Sequence, residues 1–481
     1  MKNSIKIIKF IFLLTFVLSL NSNLAFTQKL NLNLDDAINL ALDNNREISS
    51  AILDVKKANA AVREAYGYAL PSVDFSASFN HFLQKPVMFF PDFEALLGNS
   101  VYGVLFNENL LPRDNSKFKP IQFTKQSFVL ANSFSTKAQI SQILFNSTVL
   151  EGIGASGIYL QLSKENVFNK VTQTILNVKK AFYSSLLTKE LAVIMEASLE
   201  NAQNNLNNIK ALKKQGIVSE YDSLQVEVMV ENLKPMVLQL NNAYKASLDG
   251  LKLAIGIDPK TEISISGTIE FQDKYNMDVE TLIQKAVANN YTIKTLELKK
   301  KVDEAFVNVE RSNFYPSLFA FGSFEFAGSS DNLKFDTYNS SMVGIGLSIN
   351  LFQGNRTNQR IEQSKVAVEQ TNIAMNSYKD MIAFQLRTIY NDLSRIRTSI
   401  ESQRSNVSLA EKAYNISLVR YKEGTGTQLE IQNSELALRQ AKINLLQSVY
   451  DYNIAIIQIE NLLGNVNETY LNKFESIWKN F

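Results

Sequence analysis

The feature that most constrains this sequence is an internal duplication. Repeats decide an architecture before local patterns do, because each copy must adopt the same fold. Residues 34–79 match residues 279–324 without a gap. The stretch "KKQGIVSEYD" (213–222) likewise matches "YKEGTGTQLE" (421–430). The two copies differ mainly in a longer insertion between the strand-like segments of the first.

Each copy has one order of elements: a helix, two short alternating segments, a very long helix, a glycine turn and a further helix. Apolar residues at three-and-four spacing predict the helices, as at Val171, Ile175 and Val178. Pro235 should kink or split the helix that contains it. The first repeat, 28–256, is predicted to comprise helix 34–70, strands 72–82 and 131–145 around a long loop 83–125, long helix 148–214 and helix 219–255. The second repeat, 278–464, is predicted to comprise helix 278–315, strands 317–327 and 341–352, long helix 355–423 and helix 427–463.

The first residues have the pattern of a secretory signal. Lysines precede the apolar run "FIFLLTFVLSL", and Ala25 and Thr27 suit the −3 and −1 positions of a cleavage site. A signal peptide at 1–27 is therefore expected. The apolar run is about half the roughly 20 residues that a membrane-spanning helix needs, which argues against an uncleaved anchor.

Composition excludes several classes of protein. Among 481 residues there are no cysteines, so disulfides and thiol catalysis are excluded. The formal net charge of +2 becomes −1 once the three leader lysines are removed, so a nucleic-acid partner is not expected. No metal-ligand cluster, nucleophile elbow or phosphate loop is present in the sequence, and we expect neither catalysis nor a cofactor.

The segments between the helices alternate with period two, which predicts strands. In "SVDFSASFNHF" one face carries Val73, Phe75 and Phe79, and the other carries polar side chains. Each segment has about ten residues, the length that a tilted strand needs to cross a bilayer. A soluble, half-buried sheet is the alternative, but the aromatic faces and the export signal favour a membrane.

A membrane sheet must close, because an open edge leaves backbone groups without partners in hydrocarbon. Four strands per chain cannot close a barrel. Two chains would give an eight-stranded barrel, whose interior is filled by side chains. Three chains would give a twelve-stranded barrel, which is wide enough to leave a lumen. We favour the trimer, in which the helices of the three chains would form a cylinder continuing the barrel.

The duplicated plan, the segments "ALP" (69–71) and "FYP" (314–316) before the strands, and the turn "YKEGTGTQLE" resemble the TolC-like outer-membrane efflux proteins, or outer membrane factors. The resemblance covers nearly the whole mature chain. It implies a mixed α and β fold: a homotrimeric 12-stranded outer-membrane β-barrel, four strands per chain, continued by a long periplasmic α-helical barrel. An equatorial belt would include the linker 257–277 and the C-terminal tail 465–481.

The resemblance also implies a function and partners. The chain would be a passive outer-membrane channel of a tripartite efflux or type I secretion system. It would dock to a periplasmic adaptor (membrane fusion) protein and serve an inner-membrane pump of RND or ABC type, with its barrel in outer-membrane lipid. The alternative is an exported coiled-coil scaffold or adhesin without a pore, which would leave the four alternating strands unexplained.

Site residues follow from the resemblance at matching positions. Tyr421, Asp222 and Glu430 correspond to a periplasmic gate, although Gly426 replaces the expected arginine and Asn433 a second acid. The charged lock would then be weaker, or would be built from nearby charges at Arg420, Lys422 and Glu423. The expected adaptor-docking tips are Gly216, Ile217, Val218, Gly424, Thr425 and Gly426.

The turns also have a purely local interpretation. Ser219 and Thr427 are good helix N-caps, with Asp222 and Glu430 three residues later at the capping-box spacing. On this interpretation the two acids only cap helices, and both roles are compatible. The loop 83–125 is expected to be extracellular, where it would cap the pore, pack on its neighbours or merely decorate the surface.

Overall fold

The computed structural model describes residues 30–274 and 277–478, and the predicted leader at 1–27 lies outside them. The chain divides into two compact units. The sheet unit comprises Ala61–Ser156 and Ala305–Ser364. The helical unit comprises the described parts of Met1–Ala60, Gly157–Glu304 and Lys365–Phe481.

Helices form most of the described chain. Two of them, α4 and α8, have 68 and 67 residues and are each about 100 Å long at 1.5 Å per residue. The helices are α1 (Leu34–Asn44), α2 (Arg46–Gly67), α3 (Phe93–Asn107), α4 (Ser147–Lys214), α5 (Glu220–Ile255), α6 (Val279–Asn289), α7 (Tyr291–Arg311), α8 (Arg356–Lys422), α9 (Gln428–Leu462) and α10 (Glu468–Trp478). Short 3-10 turns occupy Asn115–Lys117 and Ser312–Phe314.

The strands form three small sheets. They are β1 (Leu30–Leu32), β2 (Ser72–His81), β3 (Met88–Pro91), β4 (Phe123–Gln126), β5 (Asn132–Phe145), β6 (Ile263–Ile265), β7 (Ser317–Ser330) and β8 (Asp336–Ser348). The main sheet has the order β2-β5-β7-β8 and is antiparallel throughout. Strands β1 and β6 pair in parallel, and β3 pairs with β4.

The helices predicted at 34–70 and 278–315 are each split in two, so the prediction of one continuous helix was wrong. The break falls at Asn45 in the first copy and at Asn290 in the second, and both have extended backbone. The Asn45 side-chain oxygen accepts hydrogen bonds from the backbone of Glu47 and Ile48, at 2.9 and 3.3 Å. These bonds compete with continuation of the helix and start a new one.

Three other predictions differ from the structure. Helix α5 is not split at Pro235, since the loss of one backbone bond is offset by packing of the buried Leu233 before it and the partly buried Val237 after it. The loop predicted at 83–125 contains α3 and the β3–β4 pair. The strand predicted at 341–352 is β8, which starts earlier because its pairing with β7 extends to Asp336.

The helical unit has three apolar clusters. The first is formed by side chains of four helices: α1, the start of α2, the middle of α4 and the end of α5. Buried side chains of β1 and β6 and Phe474 of α10 also belong to it. The second joins α6 and α7 to α8 and the C-terminal part of α9. The third packs α4 against α5 near the turn that connects them.

Candidate functional site

The turn between α4 and α5 is held by backbone conformation and by a reciprocal cap. Gly216 has φ +73°, the left-handed region that glycine adopts without strain. The backbone N–H of Asp222 donates to Ser219 Oγ at 3.1 Å, and the Asp222 carboxylate accepts from the backbone of Ser219 at 3.3 Å. This is a complete capping box, which ends one helix and starts the next.

The turn between α8 and α9 has the same backbone plan with different side chains. Gly424 has φ +72°, and Thr427 Oγ1 accepts from the backbone N–H of Glu430 at 3.3 Å. The guanidinium of Arg420 lies 3.5 Å from the Glu430 carboxylate and donates to the Thr425 carbonyl at 3.1 Å. The charges of Arg420 and Glu430 are therefore paired within their own turn.

Close packing explains why glycine stands at position 426. A Cβ atom at Gly426 would lie 3.0 Å from both the Arg420 Cβ and the Tyr421 backbone nitrogen. A larger side chain would have to displace the end of α8. The glycine thus allows the tight approach of α9 to α8 that the Arg420 contacts require.

The structure brings the predicted gate residues Tyr421 and Asp222 together, although they come from different turns. Burial raises the pKa of the Tyr421 hydroxyl, and the negative charge of Asp222 adds to the rise. The buried Tyr421 Oη has no hydrogen-bond partner among the described residues. The Asp222 carboxylate instead accepts from the Ser219 hydroxyl at 2.6 Å. The two residues are close but not hydrogen-bonded.

A cleft of about 700 Å³ separates the two turns. Its apolar wall includes Ile209, Leu212 and Val218 from the first turn and Leu418 and Ile431 from the second. The predicted tip residues Ile217, Gly424 and Gly426 also line it. Ile217 is 64% exposed at the end of the first turn. The two predicted tips therefore flank one largely apolar cleft.

Sequence reasoning missed a buried residue of the second turn. Gln428, the first residue of α9, is only 2% exposed, and both polar atoms of its amide lack a partner among the described residues. It lies three residues before Ile431 and seven before Glu435, which are both buried, and this helical spacing is the signal that it faces inward.

In the sheet unit, one face of the four-stranded sheet is apolar and exposed. Cross-strand register puts Phe75, Phe324 and Ile345 on this face, together with Val343, which is 89% exposed. A continuous exposed apolar surface of this kind indicates contact with another protein or with lipid. The members of the face are Val73, Phe75, Ala77, Phe79, Phe134, Ala138, Ile140, Leu318, Ala320, Phe324, Phe326, Val343, Ile345 and Leu347.

The opposite face of the same sheet carries its charged side chains, together with the aromatic rings of Phe319 and Phe321. Lys137 and Glu325 are direct neighbours across β5 and β7, and Ser135 donates to the Glu325 carboxylate at 2.6 Å. Asp74 pairs with Gln139 on β2 and β5. The sheet therefore has one exposed apolar face and one face on which its charged side chains lie.

The remaining sequence signals in this sheet are structural. The Gly-x-Gly of "VGIGLSIN" lies on β8, where aromatic rings of β7 cover both glycines. The ring of Phe319 covers Gly346, and the ring of Phe321 covers Gly344. A Cβ atom at Gly344 would lie 2.7 Å from the Phe321 ring. His81 ends β2, with its Nδ1 2.7 Å from Asn132 Oδ1.

Across residues 30–274 and 277–478, no group of three or more His, Cys, Asp or Glu side chains is arranged to hold a metal ion. Over the same range, no helix combines the length and the apolar character that crossing a bilayer requires.

Comparison with known proteins points to one class. Residues 282–465 match the model of the family described as outer membrane efflux protein. The chain is 19% identical over 299 residues to outer membrane protein TolC of Vibrio cholerae, covering 61% of this chain and 68% of the relative. It is 21% identical over 346 residues to alkaline protease secretion protein AprF of Pseudomonas aeruginosa, covering 71% of each.

Solved structures with a similar fold are outer-membrane channels as well. The CmeC outer membrane channel of Campylobacter jejuni superposes with a TM-score of 0.70 at 16% identity, covering 92% of this chain and 89% of CmeC. The mixed α and β fold is that of the TolC-like channels. These matches confirm the resemblance predicted from the sequence: the chain is a relative of the outer-membrane efflux and secretion channels.

Proposed function

We propose that the chain forms the outer-membrane exit duct of a tripartite efflux or type I secretion system. The observation that carries the proposal is the main sheet, which has one apolar and one polar face and two long edge strands without partners in the described chain. Strand β2 has 10 residues and β8 has 13. Such edges are stable in a bilayer only when they are paired.

Closure supports a homotrimer. Because the sheet is antiparallel in the order β2-β5-β7-β8, β8 of one copy can pair with β2 of the next in the same antiparallel sense. Three copies give a 12-stranded barrel with the polar face lining water and the apolar face in outer-membrane lipid. The helices of the three copies would form the periplasmic α-helical barrel, and residues 257–277 and 465–481 the equatorial belt.

The two helix turns are the proposed periplasmic end. Tyr421, Asp222 and Glu430 would form the gate, with the Arg420–Glu430 pair bracing the second turn from within. The tips Gly216, Ile217, Val218, Gly424, Thr425 and Gly426 would receive the periplasmic adaptor. Export through the duct would be passive, with energy supplied by an inner-membrane pump of RND or ABC type.

The experiment that tests the proposal is purification of the mature protein from outer membranes in detergent. We expect a trimer that migrates faster on a gel before heating than after it, and stepwise conductance when it is added to a planar bilayer. A stable monomer, or an envelope protein without conductance, would favour the alternative of a coiled-coil scaffold or adhesin.

A further inference from the structure

The tip of the second hairpin, formed by the end of α8 and the start of α9, buries a polar stripe. Its members lie on one face of α9 at four-, three- and four-residue spacing: Gln428, Gln432, Glu435 and Arg439. The Glu435 and Arg439 side chains are 8% and 13% exposed and pair with each other at 3.1 Å. Farther along the same helix, the buried residues Val449, Ile456 and Ile459 are apolar. Tyr452 is buried there too, but its hydroxyl has hydrogen-bond partners, so within α9 the buried polar atoms without a partner among the described residues are confined to the tip.

Part of this stripe is unsatisfied. Neither amide atom of Gln428 has a hydrogen-bond partner among the described residues, and neither does the amide nitrogen of Gln432. The buried Tyr421 hydroxyl, at the end of α8, also lacks a hydrogen-bond partner among the described residues. A buried polar group without a partner destabilises the state that buries it, because it has lost its bonds to water. The packed tip is therefore less stable than an apolar stripe would make it.

We propose that Gln428 and Gln432 set the opening equilibrium of this tip, a role that rests on the proposed channel function. When α9 separates from its neighbours, water reaches both amides and restores their hydrogen bonds. The same change exposes apolar side chains such as Ile431, which opposes opening. The two glutamines thus shift the balance toward the open tip without any charged contact.

The glutamines act on a turn in which Arg420 and Glu430 already pair with each other. In the first turn, Asp222 caps α5. A tip with unsatisfied amides inside its packing opens in response to smaller forces than one in which every buried group is satisfied. The expected consequence is a duct that a docking partner opens by separating helices, not by exchanging salt bridges.

The test replaces each amide by an apolar side chain of similar length: Gln428→Met, Gln432→Met and both together. Gln440→Met is the matched control, because Gln440 is on α9 but exposed, where its amide bonds Asn444 at 2.8 Å. Two measurements are made on the intact trimer. One is hydrogen exchange of backbone amides over residues 421–435, and the other is open probability in planar bilayers.

We expect Gln428→Met to slow exchange at the tip and to lower open probability by about tenfold each, which corresponds to about 1.4 kcal/mol. Gln432→Met should act in the same direction, and Gln440→Met should change neither quantity. Faster exchange or failure to fold in Gln428→Met overturns the proposal, because the amide would then be a stabilising partner. If the wild-type protein conducts no current, the channel function fails, and the exchange measurement still decides whether the amides loosen the tip.

Discussion

The side-chain amide of Asn290 donates a hydrogen bond of 3.1 Å to the backbone carbonyl of Leu462, the last residue of α9. The first repeat makes the same bond, from Asn45 to the carbonyl of Ala254 at 3.2 Å. In both copies the asparagine that divides two helices also binds the end of the hairpin helix. One residue type therefore joins the two ends of each repeat.

Loss of the hydrogen bonds made by Asn290 should destabilise the helical unit. Asn290 is buried, and its oxygen also accepts from the backbone of Thr292 and Ile293. Asn290→Ala removes all three bonds and leaves buried backbone groups unpaired, so we expect a loss of about 1–3 kcal/mol in the free energy of unfolding. Chemical denaturation followed by circular dichroism measures it. Asn289→Ala, at an exposed neighbouring position, is the control and should be nearly neutral.

The glycine beside this joint should tolerate no side chain. Gly464 has φ +63°, and a Cβ atom there would lie 2.5 Å from the Asn289 carbonyl oxygen. Gly464→Ala therefore combines backbone strain with a clash against backbone, and we expect loss of folded protein from the membrane. Gly250→Ala is the control, since a Cβ there meets no atom within 4 Å and alanine favours a helix by about 1 kcal/mol over glycine. Equal yields of the two variants would contradict the packing argument.

The periodicity of apolar residues was enough to predict the long helices, because the same three-and-four spacing repeats along their whole length. The long helix was predicted at 148–214, and α4 is Ser147–Lys214. The breaks at Asn45 and Asn290 were missed because a three-and-four pattern continues across them. The asparagine pairs in both copies are the signal that local capping competes with the helix. The carbonyl groups that accept from these asparagines lie 209 and 172 residues away, so the local sequence carries no sign of them.

The site was only partly predictable for the same reason. Gly216, Gly424, Ser219 and Thr427 perform local backbone functions, and their types and spacing are enough to place them. The burial of Gln428 depends on packing by neighbouring elements, which its own helix does not encode. The close approach at Gly426 likewise depends on the path of the chain after Arg420. Sequence therefore describes the turns better than it describes what packs against them.

The two faces of the main sheet should respond oppositely to charge. Val343 is on the apolar face of β8, and Ser340 is on the polar face, opposite Glu325. Val343→Lys should cost about 2–4 kcal/mol if it lies near the bilayer midplane. We expect the heat-resistant trimer to be lost from outer membranes, as measured by gel migration before and after heating. Ser340→Lys should leave the trimer intact and change only the ion selectivity of the pore; an equal loss in both variants would contradict the assignment of the faces.

Alkaline pH should loosen contacts at the proposed gate. Burial and the nearby Asp222 charge raise the pKa of Tyr421, so the packed turn favours the neutral phenol. The stabilisation is complete below the ordinary tyrosine pKa of about 10 and is lost as pH rises through the higher pKa of the packed state. We expect open probability in planar bilayers to rise above about pH 10. Tyr421→Phe should reduce that rise, and an unchanged pH profile would show that Tyr421 does not contribute to closure.

Substitutions at the tips should separate docking from folding. Gly216 and Gly424 have positive φ, and a Cβ at either meets no atom within 4 Å, so bulk there would project outward from the turn. Asparagine adopts left-handed backbone more readily than other residues with a side chain, whereas arginine adds bulk and charge. We expect Gly424→Arg and Gly216→Arg to abolish export in cells while trimers of normal conductance remain in the outer membrane. Gly424→Asn should retain more export than Gly424→Arg, since its smaller side chain obstructs a docking partner less. Normal export by both arginine variants would remove the tips from the docking surface, and loss of the trimer would show that the glycines serve folding alone.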